Sequence, residues 1–139
     1  MAIVTVVETI TANAQDVFKV LGDFGRIKVG GAITAFELEG EGVGAVRTIT
    51  MGGGQVIERL DEHDSEKLVF GYSILNEDNP LPVSNYSAHV EITANDENTC
   101  TVNWSGTFEP KGTDEAAASK VVRRIYTGGI AGTRKALGC

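Results

Sequence analysis

The sequence predicts an α+β fold in which a seven-stranded antiparallel sheet packs against helices on one side. Seven runs rich in Val, Ile, Thr and aromatic residues have the length and composition of strands. Glycine-rich and polar turns separate most of these runs, as they do in hairpins. A helical repeat of apolar residues occupies the end of the chain. Because strands and helices are segregated along the chain, an antiparallel sheet is favoured over alternating βαβ units.

The chain begins with a strand and a short helix. Residues 3–10 are rich in Val and Thr, which is typical of a strand. Asn13 offers an N-cap to a helix over residues 14–21, whose apolar side chains share one face. The stretch from residue 22 to residue 31 is expected to be a loop that contains one further helical turn at residues 24–27.

Six further strands are expected to form a meander. Glycine-rich turns at residues 40–42 and 52–54 separate the first three of them. A longer acidic loop at residues 76–82 precedes the last two. The strands are expected over residues 32–39, 43–51, 55–63, 67–75, 83–94 and 99–109.

A long helix is predicted at the C-terminus, over residues 114–137, with Thr113 as its N-cap. Gly128, Gly129 and Gly132 fall inside it, and each costs about 1 kcal/mol relative to Ala. These glycines indicate a kink, a close approach to a ligand or to the sheet, or weak positions that the helix tolerates. If the sheet curves around this helix, a gap between the two would form a small-molecule pocket.

Composition and charge narrow the class of function. With 139 residues, 42% of them hydrophobic, residues 1–139 are expected to form a single domain. The net charge of -7 argues against a nucleic-acid partner, because no basic stripe is present to bind phosphates.

The sequence also bears on location and redox state. No apolar run reaches the length of a membrane span, and residues 1–4 lack the basic segment of a signal peptide. Cys100 and Cys139 do not make a disulfide framework and are expected to be two unrelated reduced thiols. A cytoplasmic location is therefore expected.

Two charged residues occupy strand positions that should be apolar. Alternate side chains of a strand share a face. Arg47 therefore lies on the face of Ile49, and Glu58 lies between Val56 and Leu60. An unpaired charge on an apolar face costs several kcal/mol. Two such violations on neighbouring strands predict an ion pair in a pocket, because sequences tend to break local rules at functional sites.

The alternation of side chains along the strands adds two tyrosines and a set of apolar lining residues to the candidate site. Tyr72 and Tyr86 share the apolar faces of their strands, so both hydroxyls are expected inside. The substrate pocket is expected to be lined by Val56, Leu60, Phe70, Ile74, Ala88, Trp104, Phe108, Val122 and Tyr126. His63 and His89 lack metal-ligand spacing and are expected on the surface, so neither a metal site nor a cofactor site is predicted.

These side chains suit proton transfer. Glu58 is the candidate general acid/base, Arg47 can bind an enolate or carboxylate by forked hydrogen bonds, and the tyrosine hydroxyls can orient a substrate. Two structural alternatives remain. A buried Arg–Glu pair can simply satisfy itself without adding net stability, and a buried tyrosine is usually a core residue with a hydrogen-bonded hydroxyl.

Over its whole length, the chain resembles the Bet v 1-like, START-related superfamily, and specifically its polyketide cyclase/dehydrase-like (SRPBCC) branch. The resemblance rests on Ala-Gln-Asp-Val-Phe at residues 14–18, Leu-Gly-Asp-Phe at 21–24, Gly-Val-Gly-Ala-Val-Arg at 42–47, Ile-Glu-Arg-Leu at 57–60 and Leu-Pro-Val-Ser-Asn-Tyr at 81–86. It implies the helix-grip fold, in which a seven-stranded antiparallel sheet with the order β-α-α-β6-α wraps around a long C-terminal helix.

A closer similarity is to the plant lachrymatory factor synthases, which rearrange a small sulfenic acid by proton transfer. The essential arginine and glutamate of that family correspond by resemblance to Arg47 and Glu58, and its pocket tyrosines to Tyr72 and Tyr86. The expected function is therefore that of a cofactor-free isomerase, dehydratase or cyclase for a small hydrophobic or anionic substrate. A non-catalytic carrier or sensor of a hydrophobic ligand is the alternative, because this fold serves both roles.

Overall fold

Seven strands form one antiparallel sheet, and the C-terminal helix packs against its inner face. The computed structural model describes all of residues 1–139. Its elements are β1 (Ala2–Ile10), α1 (Ala14–Leu21), β2 (Ile33–Glu39), β3 (Val46–Met51), β4 (Gly54–Asp64), β5 (Val69–Ile74), β6 (Val83–Ala94), β7 (Cys100–Pro110) and α2 (Glu115–Leu137). The strand order is β1-β7-β6-β5-β4-β3-β2. Strands β2 to β7 therefore form a meander, and β1 pairs with β7 at one edge of the sheet. The predicted helix-grip fold is confirmed.

The predicted elements recur with small changes at their ends. β5 begins at Val69 rather than at residue 67, because Leu68 has a left-handed backbone (φ 59°) that cannot continue a strand. Asn13 caps α1 as predicted, and its side chain accepts a hydrogen bond from Gln15 N at 2.9 Å. The further helical turn expected at residues 24–27 is only an isolated turn. Asp23 Oδ1 accepts the Gly25 N–H at 3.1 Å, which closes a local turn in place of a helix.

The N-cap predicted for the long helix is wrong by one residue. Asp114, not Thr113, caps α2, and its carboxylate accepts a hydrogen bond from Ala117 N at 2.8 Å. A carboxylate at this position also interacts favourably with the helix dipole, so it is preferred over the neighbouring hydroxyl. Gly138 ends the helix in the left-handed conformation (φ 74°).

Two glycines allow α2 to lie close to the sheet. A Cβ on Gly106 of β7 would lie 1.9 Å from the Tyr126 hydroxyl oxygen, so the tyrosine occupies the space that a side chain would need. A Cβ on Gly129 of α2 would lie 2.7 Å from Cζ3 of Trp104. Gly129 therefore marks a close approach to the sheet, whereas Gly128 and Gly132 face open space.

The core occupies one part of the sheet. α2 packs against β1, β7 and α1. Arg134 Nη1 of α2 also forms an ion pair with Glu8 Oε1 of the edge strand β1, at 2.7 Å. The main cluster of buried apolar residues takes none from β2 or β3, and β2 has no buried residue at all.

Cys100 and Cys139 are both free thiols, as predicted, and the first is buried whereas the second is exposed. Neither helix combines the length and the apolarity that a membrane crossing requires.

Candidate functional site

Arg47 and Glu58 form a largely buried ion pair. The antiparallel register places the two residues directly opposite each other on β3 and β4. Arg47 Nε donates to Glu58 Oε1 at 2.7 Å, and the two side chains are 13% and 9% exposed. The predicted pairing is therefore present, on the inner face of the sheet. Such a short charge-assisted contact fixes the orientation of both groups.

Phe24 covers the guanidinium group. Its ring centroid lies 4.0 Å from Cζ of Arg47, and its carbonyl oxygen accepts a hydrogen bond from Arg47 Nη1 at 3.2 Å. The ring of Tyr72 lies on the inner side, with its centroid 5.4 Å from the same carbon. Arg47 Nη2 makes no hydrogen bond to the protein. One edge of the guanidinium therefore remains free to bind an anion.

The protein has three tyrosines, and their hydroxyl groups form a connected row in the interior. The hydroxyl oxygens of Tyr72 and Tyr86 are 3.5 Å apart, and those of Tyr86 and Tyr126 are 2.5 Å apart. Burial, followed by the negative charge of Glu58, raises the pKa of Tyr72 above its usual value. Burial is also the main cause that raises the pKa of Tyr86 and Tyr126. All three hydroxyls therefore remain protonated and can act as donors.

A bulge in β6 aims Tyr86 at the interior. The register with β7 shifts between Ser84 and Ser87, and Asn85 adopts a left-handed backbone with φ 52°. Glu77 holds this bulge, since its carboxylate accepts hydrogen bonds from Ser84 Oγ at 2.5 Å and from Asn85 N at 3.3 Å. These two hydrogen bonds, the one from Ser84 first, lower the pKa of Glu77. The loop before β6 therefore supports the orientation of Tyr86 from outside the sheet.

Trp104 packs on the same cluster. Its ring stacks on Tyr126, with a centroid distance of 4.6 Å and an interplanar angle of 14°. The residue is 7% exposed, and its indole Nε1 is buried with no hydrogen-bond partner.

A cavity of about 430 Å³ borders Phe24, the residue whose ring covers Arg47. It is formed by the end of α1, the loop that follows it, the turn between β2 and β3, and β4. The lining residues are Phe18, Lys19, Gly22, Asp23, Phe24, Gly25, Leu38, Gly40, Glu41, Gly42, Ala45, Leu60, His63 and Ser65. Neither Arg47 nor Glu58 borders the cavity, whereas Phe24 borders it and also packs on the guanidinium of Arg47.

Of the nine predicted lining residues, Leu60 alone borders this cavity. Ile74 is partly buried, and the remaining seven are buried in the core, namely Val56, Phe70, Ala88, Trp104, Phe108, Val122 and Tyr126. The physical reason is the close approach of α2. The rings of Tyr126 and Trp104 fill the space that Gly106 and Gly129 leave open.

Sequence reasoning missed Phe24 and the residues around it. Phe24 lies in a segment without periodicity, so parity could not assign it to a face. A signal was present, because a large aromatic side chain in a loop between Gly22 and Gly25 is usually buried against something. His63 is exposed as predicted, but it borders the cavity, and its ring centroid lies 4.9 Å from that of Phe18.

Other polar features lie away from this region. His89 faces outward and lies 3.2 Å from a carboxylate oxygen of Glu62. No group of three or more His, Cys, Asp and Glu side chains is placed to hold a metal ion. A second, polar hollow of about 530 Å³ lies between the glycine-rich turn at residues 52–54 and residues 76–80.

Comparisons with known proteins agree with this architecture. Residues 1–138 match the family model described as polyketide cyclase/dehydrase and lipid transport. Among curated proteins, no sequence matches the chain.

Solved structures match over nearly the whole chain. An uncharacterised protein from Bacillus thuringiensis is 29% identical to this chain and has a TM-score of 0.81. The match covers 97% of this chain and 98% of the Bacillus thuringiensis chain. The protein XoxI from Bacillus cereus is also 29% identical, with coverages of 98% and 95% and a TM-score of 0.83. Norcoclaurine synthase from Thalictrum flavum, in complex with dopamine and hydroxybenzaldehyde, is 18% identical, with coverages of 98% and 85% and a TM-score of 0.73. This last likeness concerns the fold alone.

Proposed function

The chain belongs to the polyketide cyclase/dehydrase and lipid transport family, and we propose that it is a cofactor-free enzyme that transfers protons within a small hydrophobic or anionic substrate. The reaction class is isomerisation, dehydration or cyclisation. The family assignment confirms the branch predicted from the sequence, while the similarity to lachrymatory factor synthases stays a prediction. The observation that carries the proposal is the buried pair of Arg47 and Glu58.

Each member of the polar cluster has a role in the proposal. Glu58 is the general acid/base, because a carboxyl group sheltered from water can exchange a proton with a bound substrate. Arg47 stabilises the negative charge that develops on the substrate, through the edge that carries Nη2. Tyr72 and Tyr86 donate hydrogen bonds that orient the substrate.

Phe24 controls access in this proposal. It borders the cavity on one side and covers Arg47 on the other. A substrate that enters through the cavity displaces the Phe24 ring and takes the place of its carbonyl oxygen on Arg47 Nη1. This displacement breaks one hydrogen bond and one cation–π contact of Arg47 and moves a buried ring, so the contacts of the bound substrate have to offset all three losses.

A carrier of a hydrophobic ligand is the second candidate. The cavity wall includes Phe18, Phe24, Leu38 and Leu60, which suits an apolar guest. In that case the ion pair between Arg47 and Glu58 only satisfies itself, and Glu58 exchanges no proton with the ligand.

One experiment separates the two candidates. The ligand carried through purification is identified by native mass spectrometry. It is then incubated in D₂O with the protein, alongside a panel of hydrophobic ketones and carboxylic acids, and deuterium incorporation is followed by mass spectrometry. We expect incorporation with the wild type and a loss of about a hundredfold or more in Glu58→Gln, with binding retained.

Glu62→Gln is the matched control, because it removes an outward-facing carboxylate from the same strand. This variant is expected to match the wild type. Binding of the co-purified ligand without any deuterium incorporation would identify a carrier and end the enzyme proposal. Equal rates in Glu58→Gln and the wild type would remove Glu58 from the mechanism.

A further inference from the structure

A β-bulge in β4 turns the side chain of His63 towards the inner face of the sheet. The register between β4 and β5 shifts between Leu60 and Glu62, which leaves Asp61 as an extra residue. Because side chains alternate along a strand, one extra residue reverses the alternation beyond it. Strict alternation from Glu58, which points inward, would direct His63 outward. The bulge directs it inward instead.

Contacts on both faces of the sheet agree with this reversal. On the inner face, His63 pairs with Phe70, and the centroid of its ring lies 4.9 Å from that of Phe18 in α1. On the outer face, Glu62 contacts His89 at 3.2 Å. Bulges are frequent next to active sites, where they re-aim a side chain. This bulge brings an imidazole to the wall of the cavity that Phe18 also borders.

The ring nitrogens of His63 are available to a ligand. Neither nitrogen makes a hydrogen bond to the protein, in contrast to His89, whose Nε2 lies 3.2 Å from Glu62 Oε1. A neutral imidazole supplies one donor and one acceptor. The neighbouring wall residues Phe18 and Leu60 are apolar. A ligand in this cavity therefore meets a hydrogen-bonding ring beside apolar side chains.

The charged residues around the cavity favour a neutral ligand group at this ring. Lys19, Asp23 and Glu41 also border the cavity, which gives one positive and two negative charges. A ligand carboxylate would be repelled by this excess of negative charge. A ligand ammonium group would gain little, because both carboxylates are on exposed residues and their attraction is screened by water. A hydroxyl group matches the donor and the acceptor of the imidazole without the desolvation of a charge.

We propose that His63 forms a subsite that binds a hydroxyl group of a hydrophobic ligand. The subsite rests on the proposed function only in that a ligand occupies this cavity, which the enzyme and the carrier have in common. Glu58 and His63 pair with Ile74 and Phe70 of β5, so their backbones lie about 13 Å apart along the strand. The substrate class is therefore an elongated hydrophobic molecule whose hydroxyl group is remote from the reacting group.

NMR of the intact protein at constant pH tests the subsite. The chain has two histidines, so His89 on the outer face is an internal control. The probes are 2-naphthol and naphthalene, which share a ring system and differ by one hydroxyl group. We expect 2-naphthol to shift the imidazole nitrogen resonances of His63 in a saturable manner and to leave those of His89 unchanged. The amide resonances of Gly25 and Gly42, which border the cavity, should respond to both probes.

His63→Phe supplies a second measurement, by calorimetry. Phenylalanine keeps an aromatic ring next to Phe18 but removes both nitrogens. Loss of one hydrogen bond predicts that the affinity for 2-naphthol falls about fivefold to tenfold, with a much smaller change for naphthalene. His89→Phe is the matched control and is expected to leave both affinities unchanged. Should His63→Phe fail to fold, the titration of the wild type decides the question.

Several results would overturn the proposal. They are the absence of 2-naphthol binding, an equal shift of the His63 nitrogens by both probes, and an equal loss of affinity for both probes in His63→Phe. Two charged analogues, 2-naphthoate and 2-(aminomethyl)naphthalene, are titrated in the same way. Tighter binding of either one than of 2-naphthol would reject the hydroxyl group as the preferred partner and assign the subsite to an anion or a cation.

This result is separable from the proposed enzyme function. A hydroxyl preference that depends on His63, with no deuterium incorporation in the ligand, keeps the subsite and removes the catalysis. Incorporation that depends on Glu58, with no response of His63 to 2-naphthol, removes the subsite and keeps the catalysis.

Discussion

Gly129→Ala adds one methyl group at the point where α2 meets Trp104. The new Cβ would lie 2.7 Å from Cζ3 and 2.8 Å from Cη2 of the indole ring. This is about 0.8 Å short of the ~3.5 Å separation of carbon atoms in contact. The ring must move, and it cannot move freely because it stacks on Tyr126. Overpacking of this kind costs about 1–3 kcal/mol, whereas the change from Gly to Ala in a helix contributes about 1 kcal/mol of stability.

Gly128→Ala and Gly132→Ala are matched controls in the same helix. Both positions are exposed, and no atom lies within 4 Å of the added methyl group. Each is expected to stabilise the protein by about 1 kcal/mol, through helix propensity alone. The free energy of unfolding of Gly129→Ala is therefore expected to fall about 1–3 kcal/mol below that of Gly128→Ala.

Urea denaturation followed by circular dichroism measures these differences. Thermal unfolding gives a second reading, in which 1 kcal/mol corresponds to about 3–4 °C for a chain of this size. If Gly129→Ala were as stable as Gly128→Ala, the close approach of α2 to Trp104 would be wrong. The explanation that Tyr126 and Trp104 fill the interior would then also be wrong.

Two further predictions concern the polar interior. Arg47→Met leaves Glu58 buried without its partner, so its free energy of unfolding in urea denaturation should be lower by about 3 kcal/mol. The double variant Arg47→Met with Glu58→Leu should recover most of that loss. A double variant no more stable than the single one would contradict a buried pair. Because burial raises the pKa of all three tyrosines above the usual 10.0, their stabilising contribution is complete below about pH 10 and is lost as the pH rises further. Phenolate absorbance should therefore appear together with unfolding, and its appearance near pH 10 in protein with intact circular dichroism would refute this expectation.

The ion pair was predictable because a strand has a strict period of two. Once Arg47 was assigned to the inner face of its strand, the short turn at residues 52–54 brought Glu58 opposite to it. The same alternation of side chains correctly predicted that Tyr72 and Tyr86 point inward. These predictions needed only the local geometry of the strands.

The position of the cavity was not predictable in this way. It depends on the path of the loop after α1, where Phe24 folds over Arg47, and on how closely α2 approaches the sheet. Both are long-range contacts that leave no periodic pattern in the sequence. The glycines in α2 gave a partial signal, since one of the three proved to be a packing position and two did not.

The unequal distribution of the core has a consequence for dynamics. Because β2 has no buried residue and β3 has only Ile49, which lies outside the main apolar cluster, their separation from the sheet exposes little apolar surface. Excursions of this edge are therefore expected to require much less free energy than global unfolding, and its amide protons should exchange with solvent first. Such partial openings would admit solvent to Arg47 while the half of the sheet held by α2 keeps its native packing.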